Sequence, residues 1–236
     1  MNLLAIDTST DYCSVAASRG ETIGFRHERA GQRQAERVLG MVDIVLAEAG
    51  LALADISGIA YGAGPGSFTG LRVACGVTQG LALARGIPVV GIGTLLALAE
   101  EAAEQAAEEA TEKSACGRVI ACIDARMGEV YHAAYRKTAA GWEEIVPPGL
   151  YRPEAVPAVP GEGWSGCGGG FAAYGGAVAA RYRGQLTALR PEVAPSARAV
   201  LRLALPRFAA GDTCDPATAI PLYLRDKVAL KTSERA

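Results

Sequence analysis

The chain has 236 residues, half of them hydrophobic, and a formal net charge of −2. That length suffices for one large domain or two of roughly 100 residues, and the small net charge excludes a global basic field of the kind that holds nucleic acids. Six cysteines occur without a CxxC pair, which favours reduced thiols over a disulfide scaffold. Because no signal-peptide pattern and no long apolar run are present, we expect a cytoplasmic protein with no membrane contact.

The first part of the chain predicts the element order β-β-β-α-β-α-β. Three short apolar runs joined by tight turns predict an antiparallel meander over residues 3–28. The helices and strands that follow are predicted at residues 35–49, 55–61, 73–85 and 87–92. This order is typical of a ribonuclease-H-like half, the building block of actin, hexokinase and Hsp70, and the analogy concerns the fold alone.

The helix predicted over residues 35–49 has apolar residues on two sides. Spacing of three and four predicts the side that packs on the core, with Ala35, Val38, Leu39, Val42, Val45, Leu46 and Ala49. The other side carries Gly40, Met41, Ile44 and Ala47. A second apolar side on a surface helix indicates burial against something else, either the second half of this chain or a partner.

A glycine-rich turn over residues 62–72 joins a strand to the helix at residues 73–85. A strand, a glycine turn and a helix in that order point backbone N–H groups at an anion. In the helix, Gly76, Gly80 and Ala84 stack on one side and would let another backbone come close. The turn therefore indicates a phosphate cradle, a protein-contact helix or both, with a tightly packed internal helix as the alternative.

The second half repeats part of the first-half pattern. An Ala- and Glu-rich helix from Thr94 to about residue 113 precedes it, and its stripe of Glu100, Glu104, Glu108 and Glu112 is predicted to be a solvated face. Strands at residues 119–123, 130–136 and 142–146, a glycine loop at 161–170 and helices at 171–183 and 196–211 follow. We predict an N-terminal lobe over residues 1–98, which residues 215–236 are candidates to complete, and a C-terminal lobe over residues 99–214.

The residues that follow the first strand are the candidates for nucleotide binding. Asp7, Thr8, Ser9 and Thr10 lie in a turn that approaches nucleotide phosphates in this fold class, where its acid holds Mg²⁺. Ordinary turn chemistry is the alternative, because these side chains bond to their own backbone. The glycine segments at 64–70 and 166–170 are further candidate anion sites. His27 and His132 lie far apart and no Cys/His cluster has ligand spacing, so no metal site is predicted.

Five segments of this chain together resemble one family. They are residues 4–10 (LAIDTST) with 13–16 (CSVA), 35–39 (AERVL), 64–72 (GPGSFTGLR), 124–131 (DARMGEVY) and 221–225 (PLYLR). In this combination they resemble the TsaB (YeaZ) family, the non-catalytic subunit of the bacterial machinery that makes threonylcarbamoyladenosine in tRNA. The chain departs from the family at Gln34-Ala35, where a His-Ser or His-Thr pair is usual, and at Gly40, where a proline is usual.

The resemblance implies an α/β fold with two lobes of the actin/hexokinase/Hsp70 type. It implies a scaffold that pairs with a TsaD-like catalytic subunit, which transfers threonylcarbamoyl to the tRNA adenosine adjacent to the anticodon, or with a second copy of itself when alone. The implied partner-binding residues are Gly40, Met41, Ile44, Gly76, Gly80 and Ala84. The resemblance also implies a complex that includes a TsaE-like ATPase and that can hold ATP or ADP and Mg²⁺. We therefore expect this chain to bind no cofactor on its own and to contact tRNA only indirectly, through the complex.

The alternative function is an enzyme in its own right. An ATP-dependent kinase or hydrolase of the same fold class would use Asp7 and the glycine loops, with Asp124 as the acid from the second half. The residue pattern offers no catalytic set beyond these acids, so we expect a protein that is not an enzyme.

Overall fold

A computed structural model describes residues 1–109 and 117–225, which form two lobes. The first lobe contains β1 (Asn2–Asp7), β2 (Tyr12–Arg19), β3 (Thr22–Arg29), α1 (Gln34–Glu48), β4 (Gly58–Gly64), α2 (Phe68–Arg85) and β5 (Val89–Gly93). The second contains α3 (Thr94–Glu109), β6 (Arg118–Arg126), β7 (Glu129–Thr138), β8 (Gly141–Tyr151), β9 (Trp164–Cys167), α4 (Gly169–Arg181) and β10 (Leu186–Arg190). The helix α5 (Ala197–Ala209) comes last, before a short 3-10 turn at Pro216–Thr218.

The two lobes have the same sheet topology. The strand orders are β3-β2-β1-β4-β5 and β8-β7-β6-β9-β10. In each sheet three antiparallel strands are followed by two parallel ones. This confirms the predicted two-lobed α/β fold with ribonuclease-H-like halves. No helix in the described ranges is long and apolar enough to cross a membrane.

Two short strands of the second lobe were not predicted. β9 lies inside the segment that the glycine content indicated as a loop, and β10 follows α4. At Gly166 a Cβ would meet the Phe171 ring and the Leu189 side chain, so packing against them requires glycine in this strand. Contacts with distant residues therefore decide this segment and outweigh its low strand propensity.

Each lobe is covered by a helix that follows the other lobe's strands. Val200, Leu201 and Phe208 of α5 pack with Leu3, Ala5 and Val90 of the first sheet. Leu95 and Leu98 of α3, at the end of the first lobe's strands, pack with residues of the second sheet such as Val119 and Cys167. The two lobes are thereby joined through both helices, and the division at residue 98 stays a prediction.

The acidic stripe on α3 is not the solvated face that its spacing predicted. Glu100 is buried and accepts hydrogen bonds from Trp142 Nε1 (2.7 Å) and Lys137 Nζ (3.2 Å). Glu104 is half-buried, Glu108 is exposed, and Glu112 lies outside the described residues. The stripe is partly covered because β7 and β8 of the second sheet bring basic and aromatic side chains onto α3.

Candidate functional site

The glycine-rich turn packs against the turn that follows β1. The Ser67 N–H donates to the Ser9 carbonyl oxygen (2.7 Å), and Thr8 Oγ1 donates to the Gly70 carbonyl oxygen (2.6 Å). A Cβ at Gly66 would overlap the Ser9 carbonyl group, and one at Gly70 would overlap that of Thr8. These glycines are therefore explained by close approach of two backbone segments inside the chain.

Asp7 holds this turn and does not face solvent. Its buried Oδ1 accepts hydrogen bonds from the Ser9 N–H (3.1 Å) and the Ser9 hydroxyl (2.8 Å). Its Oδ2 lies against Gly62 and has no hydrogen-bond partner among the described residues. Burial raises the pKa of Asp7 to about 6, and the two hydrogen bonds from Ser9 partly oppose that rise. Asp7 therefore stabilises the turn through hydrogen bonds from Ser9, as the alternative of ordinary turn chemistry predicts.

A cavity of about 670 Å³ lies between the lobes. Its charged lining residues are Asp11, Arg29, Asp124, Arg126, Glu192 and Arg225, and its apolar ones include Phe68, Leu98, Ile123, Met127 and Val193. Of the four residues predicted to bind nucleotide, Ser9 and Thr10 line the cavity and Asp7 and Thr8 do not. Asp7, Thr8 and Ser9 are all fully buried, so Thr10 is the one of the four that is partly exposed at the cavity. Nucleotide binding by this turn stays a prediction, as does the absence of a resident cofactor.

The acid from the second half, Asp124, is engaged in the hairpin between β6 and β7. Its Oδ1 accepts from the Arg126 N–H (2.8 Å) and the Tyr174 hydroxyl (3.3 Å), and its Oδ2 pairs with Arg126 Nη1 at 3.1 Å. Arg126 and Met127 have φ angles of 63° and 56°, a left-handed turn that the Asp124 carboxylate stabilises. Asp124 lines the cavity and Asp7 does not, so the two acids of the kinase alternative do not line this cavity together.

The second glycine segment also serves internal packing. A Cβ at Gly168 would overlap the Cys122 carbonyl oxygen, and one at Gly170 would overlap the Cys122 thiol. The start of α4 is thus pressed onto β6, in the way that the start of α2 is pressed onto the β1 turn. Within residues 1–109 and 117–225, no group of three His, Cys, Asp or Glu side chains could hold a metal ion.

The arginines near α1 do not form a free basic edge. Their acidic partners are Glu48 for Arg26, Asp11 for Arg29, Glu36 for Arg33 and Glu28 for Arg37. Because each positive charge has a neighbouring carboxylate, this surface has little net field for nucleic acid.

A second candidate surface, here called the helix face, lies on the outer sides of α1 and α2. Both helices pack on the same side of the first sheet. The helix face consists of Gly40, Ile44, Gly76, Gly80 and Ala84, which are all exposed, together with Leu39 and Leu83. Apart from the backbone of its own helix, a Cβ at any of the three glycines would meet no atom of the described residues within 4 Å. Contacts within the described chain therefore do not require glycine at these positions.

The structure corrects the sides of α1. Met41 is 3% exposed and packs in the core with Val38 and Val45, so its place on the outward side was wrong. Leu39 is 53% exposed, so its place on the core side was wrong as well, and Ala35 is also exposed. The side of α1 that packs on the sheet runs through Val38, Met41, Val42 and Val45. It is rotated around the helix by about one residue relative to the predicted core side.

Two segments quoted for the family resemblance meet in space. Arg225 Nη2, near the end of the described chain, lies 2.6 Å from Glu129 Oε2 in the β6–β7 hairpin. Arg225 and Glu192 line the cavity, and the sequence analysis predicted neither of them there. The place of Arg225 in a family motif could have indicated a functional position. Nothing in the sequence around Glu192 indicates that it lines a cavity.

Comparisons with known proteins identify the family. A family model described as TsaD, tRNA N6-adenosine threonylcarbamoyltransferase, matches residues 13–230. A protein of Escherichia coli K12 named tRNA threonylcarbamoyladenosine biosynthesis protein TsaB is 37% identical, over 98% of this chain and 97% of its own length. The protein of the same name from Haemophilus influenzae is 36% identical, over 98% and 96%. This chain belongs to the TsaB (YeaZ) family.

Solved structures agree with this assignment. YeaZ from Pseudomonas aeruginosa superposes with a TM-score of 0.80 at 37% identity, covering 94% of this chain and 99% of that one. A second Pseudomonas aeruginosa structure, described as similar to peptidase YEAZ, gives a TM-score of 0.83 at 37% identity, covering 95% and 99%. The family predicted from the five sequence segments is confirmed.

Proposed function

We propose that this TsaB-family chain is a non-catalytic scaffold that docks through its helix face onto a TsaD-like catalytic subunit. In the assembled complex the TsaD-like subunit transfers threonylcarbamoyl to the tRNA adenosine adjacent to the anticodon, a TsaE-like ATPase uses ATP and Mg²⁺, and tRNA reaches this chain only through the complex. The names of the relatives, which denote biosynthesis of that nucleoside, support the pathway.

The observation that carries the docking proposal is the open space at the three glycines of the helix face. A glycine inside a helix costs roughly 0.5–1 kcal/mol relative to alanine. Gly40, Gly76 and Gly80 carry this cost without any contact inside the described chain that needs them. Because the distance between packed helices depends on the side chains at the contact, glycines allow a partner helix to lie closest.

A partner that presents a helix pair fits this surface. A TsaD-like subunit supplies one because the family model for TsaD matches this chain itself, so both are expected to share this lobe. A second copy of the chain would supply the same surface and form an isologous dimer when the catalytic subunit is absent.

Co-purification with the host's TsaD-like protein tests the proposal. The tagged chain should co-elute with that protein, and threonylcarbamoyl transfer should require both. We expect Gly80→Leu to abolish co-elution while the circular dichroism spectrum stays that of the wild type, because leucine fills the gap that the partner helix occupies.

The matched control is Gly176→Leu in α4 of the other lobe. A Cβ at Gly176 would also meet nothing within 4 Å in the described part of the chain, and the residue is also exposed on a helix. This variant should co-elute as the wild type does. A Gly80→Leu variant that still co-elutes contradicts docking through the helix face, and transfer that proceeds without this chain contradicts the scaffold function.

A further inference from the structure

The segment after α5 is first attached to the first lobe. The Gln79 amide donates to the Ala219 carbonyl oxygen (2.9 Å), and the Tyr61 hydroxyl donates to that of Ile220 (3.2 Å). The Leu222 N–H then donates to the Ala63 carbonyl oxygen (2.6 Å). Up to Leu222 the segment therefore follows α2 and β4.

The next three residues cross to the second lobe. The Tyr223 ring lies 5.4 Å from that of Phe68, and its hydroxyl accepts from Arg72 Nε (3.1 Å), both on α2. Leu224 already packs against the core formed by α3 and the second sheet. The segment thus reaches the second lobe at Leu224 and is attached to it at Arg225.

Arg225 attaches the segment to the hairpin between β6 and β7. Its guanidinium pairs with Glu129 at 2.6 Å, donates to the Arg126 carbonyl oxygen (3.3 Å) and lies 2.8 Å from Met127 Sδ. The side chain is only 13% exposed. A charge that is largely removed from water depends on its partner, so loss of Glu129 or Arg225 is expected to release this attachment.

The crossing lies at the interlobe cavity, whose lining includes Phe68, Met127 and Arg225. We propose that residues 219–225 are a latch that holds the two lobes together beside the cavity, with the Arg225–Glu129 ion pair as its releasable end. On the first lobe the backbone of the latch is held by one backbone hydrogen bond, from Leu222 to Ala63, and by side-chain hydrogen bonds from Gln79 and Tyr61. On the second lobe the latch depends on Leu224 and one side-chain cluster. Release at Arg225 is therefore expected to open the cavity and leave the first-lobe attachment in place.

An ion pair between Arg126 and Asp11 also spans this gap. Arg126 Nη2 of the hairpin lies 3.7 Å from Asp11 Oδ1 of the first lobe, and both side chains are substantially exposed. An exposed pair at that distance contributes little. The latch is accordingly expected to be the main polar restraint between this hairpin and the first lobe, and the inference does not depend on the proposed function.

Hydrogen exchange of the full chain, followed by mass spectrometry, tests the latch. We expect Arg225→Ala to raise the exchange rate at least about tenfold in the latch, in the hairpin at 127–131 and at the cavity walls 9–12 and 191–195, since a charged hydrogen bond of this kind corresponds to a tenfold change or more. Among the described residues no hydrogen bond or ion pair joins Arg225 to these walls, so their exchange reports opening of the lobes beyond the loss of the Arg225 contacts.

Arg136→Ala is the matched control. Arg136 pairs with Glu143 at 2.6 Å, but both residues lie in the second lobe, on β7 and β8. Its removal should leave exchange at the cavity walls unchanged. Equal wall exchange in the two variants overturns the latch, and so does faster exchange in Arg225→Ala that is confined to residues 223–225.

Glu129→Gln is the second variant, and it keeps the test decisive if Arg225→Ala does not fold. It preserves the shape of the side chain and removes the charge that pairs with Arg225. We expect the same regions to exchange faster and the radius of gyration from small-angle X-ray scattering to rise. Wild-type exchange at the cavity walls in this variant overturns the proposal.

Discussion

At the residue scale, glycine has two opposite uses in this chain. At Gly66 and Gly70 a Cβ would overlap the backbone of the β1 turn, so glycine is needed for the fold itself. At Gly76 and Gly80, further along α2, a Cβ would meet no other part of the described chain within 4 Å. Spacing along the sequence does not distinguish the two cases, because the difference lies in what the fold brings opposite each position.

Asp7 gives a prediction about pH. Burial raises its pKa from 3.8 to about 6, so between these values the folded chain binds more protons than the unfolded chain. The free energy of unfolding therefore falls as the pH rises through this window. Because Asp7→Asn removes the titration, the stability of the variant relative to the wild type should increase by about 2–3 kcal/mol from about pH 4 to about pH 7.

Urea unfolding of both proteins at intervals of about one pH unit measures this difference. Only the pH dependence is used, so a constant offset caused by the amide does not affect the result. Stability curves that run parallel over the whole range would show that Asp7 titrates in the folded chain as it does in the unfolded chain.

At the element scale, α1 shows how a helix with apolar residues on two sides divides them. Val38, Met41, Val42 and Val45 meet the first sheet, while Leu39 and Ile44 stay outside. Periodicity predicted that α1 has two apolar sides. The observed border between them differs from the predicted border by about one residue, because packing on the sheet determines which residues are buried.

Met41 and Ile44 make this division testable. Met41→Ala should reduce the free energy of unfolding by about 2–5 kcal/mol, since it leaves a cavity in the core. Ile44 is 46% exposed, so Ile44→Ala should change it by about 0.5 kcal/mol or less and instead weaken binding of the TsaD-like partner. Urea unfolding and co-elution measure the two effects, and a destabilised Ile44→Ala variant would contradict the outward placement.

At the scale of the whole molecule, α3 and α5 join the two lobes, because each helix follows the strands of one lobe and packs on the sheet of the other. α5 covers one face of the first sheet although it follows the second lobe's strands, and Glu101 of α3 accepts from the Ser196 hydroxyl just before α5 at 2.5 Å. Burial alone would raise the pKa of Glu101, but hydrogen bonds from Ser196, Gln105 and Arg198 outweigh it and the pKa is lowered. The charged form of Glu101 thus belongs to the connection between the lobes.

The position of α5 predicts how the two halves of the chain behave when they are expressed separately. Residues 1–98 contain the first sheet but lack α5, so Leu3, Ala5, Val90 and Ile92 would be exposed. We expect fragment 1–98 alone to show no cooperative urea transition, and co-expression with fragment 99–236 to restore one. A cooperative transition of the isolated fragment would show instead that the first lobe is an independent domain.

The sequence by itself determined the family, the two-lobed fold class and most helices and strands of the first lobe. These follow from short-range patterns: an apolar run in β1, alternation in β2, spacing of three and four in α1, and motifs such as residues 64–72. Each is a property of residues that are near neighbours along the chain, so no knowledge of distant contacts is needed.

Only the tertiary structure decided what those elements do. That Asp7 faces Gly62, that Met41 is in the core, that β9 is a strand and that Arg225 reaches Glu129 are all contacts between residues far apart in the chain. Such contacts depend on the register and packing of whole sheets and helices. For that physical reason the candidate site was predicted only in outline, as two glycine turns and two helices, and its side-chain roles came from the fold.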